Sequence, residues 1–368
     1  MSAGRTWASE GQAMAERVLL HVGLMKSGTT FIQGRLNANR DRLAEQGILF
    51  PGPSWARHAR AVSDLIGSKH AEEGAWASLA EELRAHPGTA IVSMEYLGPI
   101  SAERIRQVRD DLAGSPVEAV VTVRDLGRSV PAMWQETLKN RQSWGWTEYL
   151  SALEDGGDAG RRFWRQQAAD RVVGRWAEVL GPENVHVVTV PPPGAPGELL
   201  WERFCEVAGI TGTEWDEAPR ANESLGVASA LLMGRINELV GDLALPEYNK
   251  KIKALGKHVL VHRRRDEEPI GFTVPRWLRK RSAGMVAGIE ASGARVVGDL
   301  RELEPLDVPG ADPASVDAQA QLDAAVAALV HVLREGGIKR PGQGGKNRGK
   351  NQGGKKNRRR GKGRDAGQ

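Results

Sequence analysis

Four short runs of nearly unbroken apolar residues, at 18–22, 90–94, 117–123 and 184–190, stand out against an otherwise amphipathic chain. A strand with one wet face alternates apolar and polar positions. Runs that are apolar throughout suit a sheet covered on both faces. Between them, apolar positions recur at helical spacing over 31–46, 75–86, 101–113 and 161–180, and Gly47 and Gly181 stand where helix C-caps would fall. The alternation predicts an α/β fold, a parallel β-sheet covered by helices on both faces. The second half reads as more helical, with such spacing over 198–208, 223–240, 277–292 and 315–334. Residues 243–276, rich in Lys, Arg and Pro, read as an irregular segment able to fold over a site at the sheet edge.

The first apolar run leads into Gly23-Leu24-Met25-Lys26-Ser27-Gly28-Thr29-Thr30, and a helical pattern opens at Phe31. A strand, a glycine-containing turn and a helix N-terminus together present backbone N–H groups to an anion, and the helix dipole favours negative charge there. In a nucleotide-hydrolase loop the lysine follows the second glycine. Here Thr29 holds that place and Lys26 comes two residues before Gly28. The third run ends in Arg124-Asp125-Leu126-Gly127-Arg128-Ser129, followed by a helical stretch over 130–140. An arginine at a strand end is suited to bidentate phosphate binding. The second run ends in Met94-Glu95-Tyr96, which puts a carboxylate at the same sheet edge as a candidate general base, with His58 as runner-up.

Charge is unevenly spread. Residues 336–368 carry +11 and the rest of the chain −6, so the pI of about 9.4 belongs to the tail. That tail is Gly, Lys, Arg, Asn and Gln with one bulky apolar residue, Ile338. It is expected to be disordered, a solubilising extension capable of weak, non-specific polyanion contact. Residues 1–16 are polar and read as a flexible N-terminus, leaving 17–335 as one α/β domain. A single cysteine, Cys205, excludes an intrachain disulfide. No apolar run is long enough to span a membrane, and the expectation is a cytoplasmic protein. His258 and His262 have helical i, i+4 spacing but no third ligand, so no metal is expected.

The run Lys26-Ser27-Gly28-Thr29-Thr30 after a buried strand resembles the phosphosulfate-binding loop of the PAPS-dependent sulfotransferases, which have a P-loop-like three-layer fold. The stretch from Arg124 resembles that family's 3′-phosphate-binding segment, though the serine expected eight residues on is Ala132, with Ser129 and Arg128 the nearest substitutes. The segments Phe163-Trp164-Arg165, Leu199-Leu200-Trp201 and Asn222-Glu223-Ser224-Leu225 look like bacterial counterparts, so the likeness covers about 17–240. The resemblance implies sulfuryl transfer from PAPS to a hydroxyl-bearing acceptor (a carbohydrate, glycolipid or small metabolite). Lys26 would be catalytic beside Glu95, and Lys26, Ser27, Gly28, Thr29, Thr30, Arg124 and Ser129 would hold the nucleotide. Either 250–257 or 263–265 would supply the family's closing basic segment. Two other readings remain open: a P-loop kinase or related phosphotransferase, weakened by the displaced lysine, and a nucleic-acid-associated protein acting through its tail.

Overall fold

The computed structural model describes residues 14–68, 71–217 and 224–334. The basic tail, nearly all of the expected flexible N-terminus, and Asn222 and Glu223 lie outside the described residues. Six strands form one sheet: β1 (Arg17–His21), β2 (Ile48–Leu49), β3 (Thr89–Ser93), β4 (Val117–Val123), β5 (Val185–Thr189) and β6 (Arg295–Val297). Their order is β2-β3-β1-β4-β5-β6 and every pairing is parallel. The four long strands are the four apolar runs. The short edge strands β2 and β6 went unpredicted, because two or three residues carry no period.

In chain order the first helices are α1 (Thr29–Ala38), α2 (Arg40–Glu45), α3 (Ala56–Leu65), α4 (Ala75–Ala85) and α5 (Ala102–Asp111). After β4 come α6 (Leu126–Lys139), α7 (Trp146–Asp155), α8 (Asp158–Gln167) and α9 (Ala169–Leu180). Beyond β5 lie α10 (Leu199–Ala208), α11 (Val227–Leu239), α12 (Leu245–His258), α13 (Arg276–Ala291) and α14 (Ala318–Arg334). Apolar residues pack on both faces of the sheet. Leu19, Ile91, Val120 and Val188 point to a core shared with α1 and α10, whereas Leu20, Val92, Val121 and Val187 join the larger core on the other face. This is the expected three-layer α/β sandwich.

Three expectations need correction. The helix expected over 31–46 breaks at Asn39, whose side chain donates to the carbonyls of Arg35 and Asp216 and draws the chain towards the 211–217 segment. The helix expected over 161–180 breaks at Ala168, between α8 and α9. The segment 243–276 is not irregular throughout, since it contains α12 and a 3₁₀ turn over Leu260–Arg265. His258 ends that helix and His262 lies in the turn, so the two do not share a helix face. Among the described residues, no helix is long and apolar enough to cross a membrane.

Strand order fixes where a ligand can sit. From β1 the chain moves to one side of the sheet, through β2 and β3, and from β4 it moves to the other, through β5 and β6. The crevice at the carboxyl ends of β1 and β4 is therefore the topological switch point, the place where open α/β sheets bind ligands. The loop containing Lys26 and the segment opening at Arg124 are its two lips.

Candidate active site

The turn after β1 is built from below. The buried side chains of Ser93, His21, Thr122 and Ser27 form a continuous polar chain under it. Ser27 Oγ donates to the Leu24 carbonyl (2.5 Å) and lies 2.8 Å from Thr122 Oγ1, so the Thr122 hydroxyl is the donor between those two. Thr122 then accepts from His21 Nε2 (3.2 Å), and His21 Nδ1 accepts from the Ser93 hydroxyl (2.7 Å). Every donor has one acceptor, provided the imidazole is neutral. Burial enforces this by pushing the His21 pKa down to about 3. The Ser27 hydroxyl thus shapes the loop from the inside.

Above this chain the backbone is bent into unusual conformations. Lys26 has φ 63°, a left-handed value that few non-glycine residues adopt, and Gly28, the N-cap of α1, has φ 86°. A Cβ on Gly28 would lie 2.4 Å from Leu200 Cδ2 and would be strained at this φ, so glycine is favoured there on both counts. Among the described residues, no acceptor takes the amides of Gly28 and Thr29, which are the orphan donors of a helix N-terminus. Thr29 is buried and Thr30 exposed. From below, Gln167 Nε2 fastens the turn by donating to the Met25 carbonyl (2.8 Å).

On the opposite lip, Asp125 caps α6 by accepting the Arg128 amide (2.9 Å). The Arg128 side chain bonds Asp125 and the Pro191 and Val190 carbonyls, so this candidate substitute for the missing serine is tied into the scaffold. Arg124 is different. Its guanidinium donates to the Arg128 carbonyl (2.9 Å) and reaches Ser129 Oγ at 3.5 Å, and it has no acidic partner among the described residues. Burial, then repulsion from Arg128, lowers its pKa to about 10, against a smaller opposing pull from Asp125. It remains a cation at neutral pH in a place that favours an anion. Ala132 lies one turn before Glu136 on the partly exposed face of α6.

Lys26 is engaged. Its Nζ lies 2.7 Å from Glu136 Oε2, with both side chains about three-quarters buried. Burial raises the Glu136 pKa, but the charge and hydrogen bond of Lys26, joined by Asn140, outweigh it and hold the carboxyl below its ordinary value. Around this pair stand further cations. Lys139 is pushed down to about 8, first by burial and then by the charge of Lys26. Lys253 of α12 donates to Asn140 Oδ1 (2.9 Å). Of the two basic segments considered from sequence, 250–257 reaches this cluster, whereas Arg263 is paired with Glu267 (2.7 Å).

Glu95 opens a short 3₁₀ turn (Glu95–Leu97) after β3 and is half-buried, with Oε2 accepting from Gln33 Nε2 (3.3 Å). Neighbouring Tyr96 has its pKa raised by burial and then by the charges of Glu95 and Glu136, so two carboxylates act on one phenol. His58 lies elsewhere in function. It is fully buried, donates through Nε2 to the Pro51 carbonyl (2.9 Å) and accepts the Ser93 amide at Nδ1 (3.1 Å). Burial lowers its pKa to about 4, so it is a structural brace for the 51–54 loop and not a base.

Sequence reasoning missed the roles of Glu136, Lys139 and Asn140. Their i, i+3, i+4 spacing on α6, in line with Ala132, was the available signal.

No protein-family model matches the sequence, and no curated protein does. Among solved structures the chain is similar to a sulfotransferase from Alicyclobacillus acidocaldarius, at 16% identity and a TM-score of 0.43, over 77% of this chain and 98% of that one. A likeness this distant carries no weight on chemistry, which has to come from the site's own residues.

Proposed function

We propose that this chain is a sulfotransferase that moves a sulfuryl group from PAPS to the hydroxyl of an acceptor. One juxtaposition carries the reading: the amides of Gly28 and Thr29, unclaimed among the described residues, open α1 on one lip of the switch-point crevice, and Arg124, which has no acidic partner among those residues, stands on the other. Two anion sites at the ends of adjacent strands suit a nucleotide with phosphates at two positions.

In this reading the loop from Ser27 to Thr30 holds the 5′-phosphate through backbone donors and the α1 dipole. Arg124, with the Ser129 hydroxyl beside it, holds the 3′-phosphate, and Ser129 stands in for the hydroxyl that Ala132 lacks. PAPS supplies the activated sulfuryl group. Lys26 neutralises charge that develops on the phosphate side of the breaking bond, the kind of positioned electrostatic help that group transfer requires. To do so it exchanges Glu136 for the anion, and Glu136 is then free to accept a hydrogen bond from the acceptor. Glu95, oriented by Gln33, is the candidate base for the acceptor proton.

The test is calorimetric titration of the full chain with adenosine 3′,5′-bisphosphate and, separately, with ATP and Mg²⁺. Binding of the bisphosphate, weakened at least tenfold by Arg124→Ala, is the expected result. Binding of ATP with Mg²⁺ alone would overturn the assignment in favour of a phosphotransferase.

A further inference from the structure

A second concavity lies beside the site, between α8, α9 and α13, and has a volume of about 810 Å³. Its walls carry one carboxylate, Glu154, against Arg165, Arg171, Arg175 and Lys280, and none of these four cations has an acidic partner within salt-bridge distance among the described residues. Arg175 is half-buried, its Nε lacks any hydrogen-bond partner, and its pKa is lowered by burial and then by the charge of Arg171. Like charges held this close across a partly buried groove raise its positive potential, which an anion would relieve. Outside its tail the chain carries −6, so the groove runs against the charge of the body around it.

The same walls include the indoles of Trp164 and Trp277. Both are half-buried. Trp164 donates from Nε1 to the Leu153 carbonyl (2.8 Å) and has Arg281 over its ring, 5.2 Å from the centroid. Arg281 is itself paired with Asp170 (3.3 Å), so it fixes the indole and is not a free cation. The held indole of Trp164, with that of Trp277 on the facing wall, offers flat apolar surface to the C–H face of a pyranose ring, while guanidinium forks take carboxylate or sulfate groups.

We propose that this groove binds an anionic oligosaccharide, one bearing carboxylate or sulfate groups, and, resting on the sulfotransferase reading, that it seats the acceptor. The groove reaches the catalytic edge at two points. Arg165 also lines the smaller cavity of about 180 Å³ that contains Met25 and Glu136, and Arg175 donates to the Gly98 carbonyl (3.4 Å) just beyond the Glu95 turn. A chain of sugars in the groove would therefore run towards Lys26, Glu95 and Glu136. Single-stranded RNA offers charge and stackable faces too, and is the competing occupant that the experiment has to exclude.

The experiment is calorimetry of the full chain at 150 mM salt with a heparin-derived tetrasaccharide, a neutral chitin tetrasaccharide and octauridylate, alongside adenosine 3′,5′-bisphosphate. The probes are titrated into the unaltered chain, into Arg165→Glu/Arg171→Glu, and into Lys280→Glu on the opposite wall. All three positions are exposed, so the variants should fold. The expected result is binding of the sulfated tetrasaccharide, weakened at least tenfold by the charge reversals, with the neutral sugar silent and bisphosphate binding unchanged. An unaltered affinity in both variants would place the binding on the basic tail and overturn the proposal. So would tighter, groove-dependent binding of octauridylate, or no tetrasaccharide binding at all. If the tetrasaccharide binds through the groove and the bisphosphate does not bind, the sulfotransferase reading fails and the groove stands. If only the bisphosphate binds, the groove proposal alone fails.

Discussion

Lowering the pH from 7.5 to 5 should remove about 4 kcal/mol of folding stability through two buried histidines. His21 and His58 have pKa values of about 3 and about 4 in the folded protein, against an ordinary value of 6.5. Both folded values are depressed because burial disfavours the imidazolium, so between them and 6.5 the unfolded chain binds more protons. Stability is then complete above about pH 6.5 and is lost as the pH falls. At pH 5, about 1.5 units below the unfolded value, each histidine contributes a loss of about 2 kcal/mol at about 1.36 kcal/mol per unit. Both rings bond Ser93, His21 through its hydroxyl and His58 through its amide, so about 4 kcal/mol is the sum without coupling between them. A domain stable by about 5–15 kcal/mol would register such a loss clearly. Urea unfolding followed by tryptophan fluorescence at the two pH values measures it, and His58→Gln should halve the pH-dependent part. A loss under about 1 kcal/mol, or a His58→Gln variant with the full pH dependence, would refute the account of two buried neutral imidazoles.

Further outcomes follow from the site. Lys26→Ala should cut sulfuryl transfer at least a hundredfold in a PAPS-dependent assay while leaving the circular dichroism spectrum unchanged. Gly28→Ala should abolish bisphosphate binding, because a methyl group 2.4 Å from Leu200 Cδ2 at φ 86° forces the loop to move. Adding Leu200→Ala should restore part of the binding in titrations. Glu136→Gln removes a carboxylate that raises the Lys139 pKa, so that pKa should fall below about 8, visible as faster labelling by an amine reagent near neutral pH. Glu95→Gln should cut the rate of sulfuryl transfer in the same PAPS-dependent assay, and an unchanged rate would clear Glu95 of the base role.

What the sequence made legible was what is local. The loop from Lys26 to Thr30 and the arginine at position 124 each sit within a few residues of the strand that presents them, so pattern alone placed them at one sheet edge. The Lys26–Glu136 pair joins residues 110 positions apart, and no local pattern announces such a partnership. The same reason hid the break at Asn39, which depends on the carbonyl of Asp216, 177 positions away. The helix α3 was missed because its buried face, with His58, Ala61, Val62 and Leu65, includes a histidine that reads as polar until its two hydrogen bonds are known.

The buried polar chain beneath the loop has a consequence for how the molecule comes into being. His21 must meet Ser93, 72 positions onward, and Thr122, 101 positions onward, before the turn above it has a floor. During synthesis the first strand therefore emerges long before either neighbour exists, and it waits as an exposed apolar edge. Contacts of such long range close slowly. The anion pocket is thus a late product of assembly, formed when the fourth strand docks. A fragment ending before Thr122 would carry the whole phosphate-loop sequence and still have no pocket.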